Sequence, residues 1–164
     1  MLINDLLLSS VGNDAISFEK GDPLTFEKEV IYVDKFKKWD VDGNLESQWE
    51  VDENDIDHWI KTHNDLIKAG IEVPMPETHT SLPSAKRATA LGYVKKPDSK
   101  GRQALFVRGR FLNEEYKKSL ASSNVSLFSP KLVKHQDQTF VRPITHICFT
   151  DYPVVADTDP LTIA

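Results

Sequence analysis

Two strand-like runs joined by a turn constrain the fold of this chain more than any other feature. Residues 87–96, RATALGYVKK, and residues 102–112, RQALFVRGRFL, are rich in β-branched, aromatic and other apolar residues. The sequence PDSKG separates the two runs and is a strong turn signal, because Asp, Ser and Gly favour tight turns. The pattern predicts a β-hairpin, and therefore a pair of antiparallel strands at the centre of the chain.

A helix is predicted on each side of this hairpin. In the first, residues 53–69, apolar side chains and one histidine recur at helical spacing: Ile56, Trp59, Ile60, His63, Leu66 and Ile67. Asp52 is the expected N-cap, and Gly70 occupies the position just past the helix end where glycine is favoured. The second helix is shorter, residues 113–122, with Asn113 as its cap.

The rest of the chain reads mostly as strands and turns. Residues 29–36, EVIYVDKF, have strand composition, and Asp42 and Gly43 predict a hairpin turn after them. Residues 71–84 contain three prolines and should be extended or looped. SNVSLFSP, residues 123–130, reads as a buried strand, and residues 141–153, VRPITHICFTDYP, as a last strand. The expected fold is α+β, or a β-barrel decorated by helices.

Size and charge limit the classes of function. A chain of 164 residues suits a single domain, residues 1–164, and a net charge of −5 makes nucleic acid an unlikely main partner. The lone cysteine, Cys148, excludes an internal disulfide and fits a reducing compartment. The apolar N-terminus lacks the basic region of a signal peptide, and no run has the length of a membrane span, so no membrane association is expected.

A metal site is not expected. The chain has five histidines, and the pair on the first helix, His58 and His63, is five residues apart, which points the two rings to different faces. No H-E-x-x-H motif is present, and a single cysteine cannot provide a thiolate cluster for zinc. The sequence predicts no metal and no cofactor.

Serine hydrolase chemistry is the other candidate. A serine nucleophile needs a base and a third group that orients the base. Ser126 lies in the predicted buried strand, His146 in the last strand, and His79 in the extended segment after the first helix. Ser126 and His146 would share a face if their strands are neighbours. Each residue also has a simpler interpretation: a small polar filler, a histidine bonded to the backbone, and a surface loop residue. The lack of a G-x-S-x-G elbow excludes the α/β-hydrolase arrangement. From the residues alone the simpler interpretations are preferred, because no local motif is diagnostic.

Three short motifs change this balance, because their order resembles that of the prohead maturation proteases of tailed bacteriophages. This family belongs to a superfamily that includes the herpesvirus capsid maturation protease, assemblin. The motifs are PETHT after the first helix, NVSLFS after the short helix, and HICFTDYP in the last strand. The resemblance covers residues 70–156. The chain departs from many phage members in having Leu127 and Phe128 where they carry glycine, and from the herpesvirus enzymes in having no arginine after His146.

The resemblance implies a mostly antiparallel β-barrel flanked by helices and a serine endopeptidase with a Ser-His-His triad. Ser126 would be the nucleophile, His79 the general base and His146 the orienting third residue. Ser129 is the competing nucleophile and second choice, because it lies beside Pro130 on the side of Val125 and Leu127. Arg142 is a candidate for supporting the oxyanion.

The same resemblance implies the setting of the reaction. The substrates would be the phage scaffold protein and the major capsid protein, and the site of action the prohead interior, assembled in the host cytoplasm. Self-association is a further expectation. The alternative is a non-enzymatic scaffold or decoration protein of the phage head that keeps a protease-like fold, and an intracellular binding domain with no viral role ranks third. A related hypothesis is that Ala164 is a processed terminus.

Overall fold

The computed structural model describes residues 21–77, 85–151, 153 and 155–163. Within these residues the elements are, in order, β1 (Thr25–Tyr32), β2 (Asp34–Trp39), β3 (Leu45–Val51), α1 (Glu53–Lys68), β4 (Val73–Pro76), β5 (Lys86–Pro97), β6 (Gln103–Phe111), α2 (Glu114–Leu120), β7 (Asn124–Phe128), β8 (Leu132–His135), β9 (Gln138–Val141), β10 (His146–Thr150) and β11 (Thr162–Ile163). The predicted α+β class is confirmed.

The strands pair in an antiparallel manner. Five of them form one sheet in the order β11-β1-β6-β5-β4, and the remaining six form the two-stranded pairs β10-β7, β2-β3 and β8-β9. The predicted central hairpin is confirmed as β5 and β6, which pair from Ala88 opposite Phe111 to Pro97 opposite Gln103. No closed barrel is found among the described residues. None of the helices there is long and apolar enough to cross a bilayer.

Helix α1 begins at the predicted residue and ends at Lys68, one residue before the predicted bound. The Asp52 carboxylate accepts from the Asp55 backbone N–H and the Asp55 carboxylate accepts from the Asp52 N–H, both at 2.9 Å, which forms a reciprocal capping box. Gly70 follows the helix with a φ of +79°. Of the residues that recur at helical spacing, Ile56, Trp59 and Leu66 are buried, whereas Ile67 is exposed.

The predicted last strand, residues 141–153, is wrong as a single element. Strand β9 ends at Val141, Arg142 has a φ of +46°, and β10 begins only at His146. The Arg142 N–H donates to the Lys131 carbonyl at 2.9 Å, which closes the β8–β9 hairpin, and Pro143 has no N–H to continue a ladder. This hairpin and the short strand β11 were not predicted.

Strand β1 shows where the core lies, because nearly all of its residues are buried. The buried apolar side chains form one cluster that joins β1, β5, β6, β7 and β10 with α1. Phe26 of β1 lies directly opposite Gly109 of β6, and the Phe26 and Phe111 ring centroids are 4.5 Å apart. The aromatic ring therefore covers a position where the partner strand has no side chain.

Replacing Gly109 with alanine should lower the free energy of unfolding by about 1–3 kcal/mol, measured by urea denaturation. A Cβ at this position would come within 2.5 Å of Phe26 Cζ, and Phe26 is fully buried and cannot move away freely. In a double-mutant cycle with Phe26→Leu, the alanine should cost much less, because the smaller side chain leaves room. An equal cost in both backgrounds would show that the ring is not the cause.

Candidate active site

Ser126 and His146 lie on neighbouring antiparallel strands. In the β7–β10 pair, Ser126 is opposite Cys148 and Phe128 is opposite His146. Residues directly opposite each other project to the same face, and so do residues two apart along a strand. Ser126 and His146 therefore share one face, as the sequence predicted for neighbouring strands.

The two residues are diagonal neighbours and not a direct pair. Diagonal positions in an antiparallel ladder are about 7–8 Å apart, a distance that long and aromatic side chains can reach across. Both residues are nearly covered, with 5% of Ser126 and 7% of His146 exposed.

The His146 ring is held in a defined plane. It stacks on the Phe128 ring directly opposite, with centroids 4.8 Å apart and an angle of 13° between the planes. Its Nδ1 lies 3.4 Å from the hydroxyl of Thr145. A stacked and nearly buried imidazole has few accessible rotamers, so the strand pair fixes the direction of its ring nitrogens.

Ser129, the competing nucleophile, lies just beyond the end of β7 and is fully buried. Its Oγ has no hydrogen-bond partner among the described residues. A hydroxyl without a base cannot be activated as a nucleophile, so this position favours Ser126 over Ser129.

Cys148 is a residue of this face that the sequence did not indicate. Burial raises the pKa of its thiol to about 11, and the negative charge of Glu77 adds to the effect. The Sγ donates to the Phe149 carbonyl at 3.2 Å. Since the thiolate is the reactive form, this cysteine is not a competing nucleophile near neutral pH.

His79 lies outside the described residues, so its position relative to Ser126 stays a prediction. The described chain on its N-terminal side ends at Glu77, just after β4. Strand β4 lies against β10, and Glu77 is close enough to Cys148 for its charge to act on the thiol. The chain therefore leaves β4 beside the strand pair that carries Ser126 and His146.

Arg142, the candidate for oxyanion support, is paired elsewhere. Its Nη1 is 3.3 Å from the Asp55 carboxylate at the start of α1. On the same helix, a ring nitrogen of His58 lies 2.7 Å from the Val141 carbonyl. These contacts hold the turn before β10 against α1, so Arg142 has a structural partner that the sequence did not predict.

Metal-binding clusters are absent from the described part of the chain, where no group of three or more His, Cys, Asp or Glu side chains could hold an ion. No protein-family model matches this chain, and comparison with curated proteins and with solved structures finds no match either.

Proposed function

We propose that this protein is a serine endopeptidase in which Ser126 is the nucleophile, His79 the general base and His146 the residue that orients the base. The observation that carries the proposal is the common face of Ser126 and His146 on the β7–β10 pair. Sequence order alone could not supply this arrangement, because it depends on two strands separated by a hairpin.

In the proposed reaction the Ser126 hydroxyl attacks the carbonyl carbon of the scissile peptide bond while His79 takes the hydroxyl proton. His79 then gives this proton to the leaving amine. The acyl-enzyme is cleaved by water through the same two proton transfers. His146 accepts a hydrogen bond from the ring N–H on the far side of His79, which fixes the tautomer whose other nitrogen can take the Ser126 proton.

Two structural features support this assignment. One is that Ser126 and His146 lie on the same face of the β7–β10 ladder, at diagonal positions. His79 is two residues beyond Glu77, and two residues reach at most about 7 Å. The charge of Glu77 acts on Cys148, which is the residue opposite Ser126. A short path along the chain from Glu77 would therefore suffice to bring His79 to the Ser126 hydroxyl.

We further propose that the substrates are scaffold and capsid-protein segments inside an assembling phage head, in line with the resemblance to prohead maturation proteases. The barrel of that superfamily is part of the proposal. It is supported by contacts of β10 with β4 and of β7 with β1. Strand β4 is one edge of the five-stranded sheet, and β1 is next to the other edge strand, β11.

A fluorophosphonate probe tests the proposed activity directly, because it forms a covalent bond only with an activated serine. Incubation of the folded protein with the probe should label one site, and peptide mapping should place the label on Ser126. His79→Ala should prevent labelling while leaving the circular dichroism spectrum unchanged. A protease-like head protein without activity would remain unlabelled, and a label that persists in Ser126→Ala would reject this nucleophile.

A further inference from the structure

Residues 156–163, here called the C-terminal segment, run across β1 and the turn between β5 and β6. Their last two residues pair with β1, Ile163 opposite Phe26 and Thr162 opposite Glu27. Most of the segment's described side chains are exposed or only partly buried, and Leu161 among them packs against the core. These described side chains therefore bury little apolar surface, and polar contacts hold this part of the chain.

Lys28 provides the first set of these contacts. This lysine of β1 is fully buried, and its ammonium donates to the Glu29 carbonyl at 3.0 Å, the Thr158 hydroxyl at 2.8 Å and the Asp159 carbonyl at 2.6 Å. An ammonium has three donors, and the segment supplies two of the three acceptors. Without the segment, a cationic group with two open donors would remain in the groove.

Glu29 binds the segment's backbone. Its Oε2 accepts from the Asp159 N–H at 2.5 Å, and burial raises the pKa of the Glu29 carboxyl to about 8, with hydrogen bonding to Asp98 adding to the rise. The raised pKa favours the neutral carboxyl near pH 7, which does not repel Asp159. Its other oxygen, Oε1, has no hydrogen-bond partner among the described residues.

The β5–β6 turn recognises the two aspartates of the segment. The Ser99 backbone N–H donates to the Asp159 carboxylate at 2.8 Å, and the Ser99 hydroxyl binds the same carboxylate. Arg102 Nη2 donates to the Asp157 carbonyl at 2.7 Å, and Lys100 forms an ion pair with the Asp157 carboxylate. A cationic and donor-rich groove thus matches an acidic strand.

We propose that β1 and the β5–β6 turn form a peptide-binding groove for an extended Asp-Thr-Asp segment, and that the C-terminal segment of a second copy of this chain can take the place of the one bound here. A second copy carries the identical donors, acceptors and charges, so every contact can form between two chains. An open cavity of about 370 Å³ beside Asp159 and Pro160 leaves one flank of the bound segment accessible. The groove contains none of the proposed catalytic residues, so the inference does not depend on protease activity.

The first test is hydrogen exchange on the unmodified full chain. The Asp159 amide, bonded to Glu29, and the Ser99 amide, bonded to Asp159, should exchange at least about a hundredfold faster than the Val107 amide in the centre of β6. The two amides should exchange with similar protection, because a single detachment of the C-terminal segment breaks both hydrogen bonds. Exchange of these amides only at the rate of global unfolding would make the segment an integral part of the fold and overturn the proposal.

The second test supplies the segment from outside. The full chain carrying Thr158→Val and Asp159→Ala has a weakened segment of its own, and a fluorescently labelled peptide ADTDPLTIA stands for the segment of a second copy. Fluorescence anisotropy should show at least about tenfold tighter binding of this peptide than of the same peptide with both substitutions. Adding Lys28→Met to the chain should abolish the difference. Equal binding of the two peptides, or failure of the weakened chain to fold, would overturn the proposal.

Discussion

Replacing Ser126 with alanine should abolish peptide-bond cleavage, with a loss of at least about a thousandfold in kcat/KM. In the proposed reaction, the substitution removes the atom that forms the acyl-enzyme. It should leave the stability of the fold nearly unchanged, because alanine differs from serine by one oxygen. The measurement is cleavage of a peptide from a candidate scaffold or capsid substrate, with urea denaturation of the same samples.

Ser129→Ala is the matched control, three residues away and of the same chemistry. Its hydroxyl is fully buried without a partner among the described residues, so alanine should retain activity and keep or slightly raise the free energy of unfolding. The two serines thus separate a chemical role from a packing role. Loss of activity in Ser129→Ala with activity retained in Ser126→Ala would reverse the assignment of the nucleophile.

The elements that could be predicted from sequence are those specified by nearby residues. Helix α1 carries its own start signal in Asp52 and Asp55 and its own stop signal in Gly70, so its bounds followed from a few adjacent positions. The central hairpin likewise depends on the turn that Asp98 and Gly101 form between its strands, where the Gly101 N–H donates to the Asp98 carbonyl at 3.0 Å.

Features that depend on distant partners could not be predicted. Nothing near Lys28 and Glu29 indicates that both are buried, because strand alternation would expose one of them. The side chains of Lys28 and Glu29 bind Thr158 and Asp159, which lie about 130 residues later in the chain. The break at Arg142 is similar, since its positive φ accompanies a hydrogen bond to Lys131 and an ion pair with Asp55.

The candidate site could be predicted only in part. The common face of Ser126 and His146 followed from alternation once their strands were taken as neighbours, but the neighbourhood itself was an assumption until the β7–β10 register was known. The stacking of Phe128 on His146 likewise became apparent only from that register, which places the two residues opposite each other. Phe128 and Cys148 had no chemical signal in the sequence, because an aromatic residue and a lone thiol in a strand usually belong to the core.

Acidification from pH 7 to about 4.5 should destabilise the protein in part through one buried histidine, His63. The residue is fully buried on α1, its ring meets the Tyr93 ring edge-on at 4.8 Å, and neither ring nitrogen has a hydrogen-bond partner among the described residues. Burial lowers the pKa of His63 to about 4, an effect that the Leu91 backbone opposes.

The sign of the effect follows from proton uptake. In the unfolded chain this histidine binds a proton below about pH 6.5, whereas in the folded protein it stays neutral down to about pH 4. Between these values the unfolded state binds more protons, so the free energy of unfolding falls as the pH falls. At about 1.4 kcal/mol for each pKa unit, the loss by pH 4.5 is about 2–3 kcal/mol.

Urea denaturation of His63→Leu at several pH values isolates this contribution from that of the carboxylates, which also titrate in acid. Leucine keeps the site apolar and removes the titrating group together with two unpaired ring nitrogens, so stability at pH 7 should be retained or raised. Between pH 7 and 4.5 the variant should lose about 2–3 kcal/mol less than the unmodified protein. His135→Gln, a control at a partly exposed histidine of β8, should follow the unmodified protein. If the free energy of unfolding of His63→Leu changes with pH as that of the unmodified protein does, the buried ring takes up its proton without unfolding. The core around Tyr93 must then admit water or a charge.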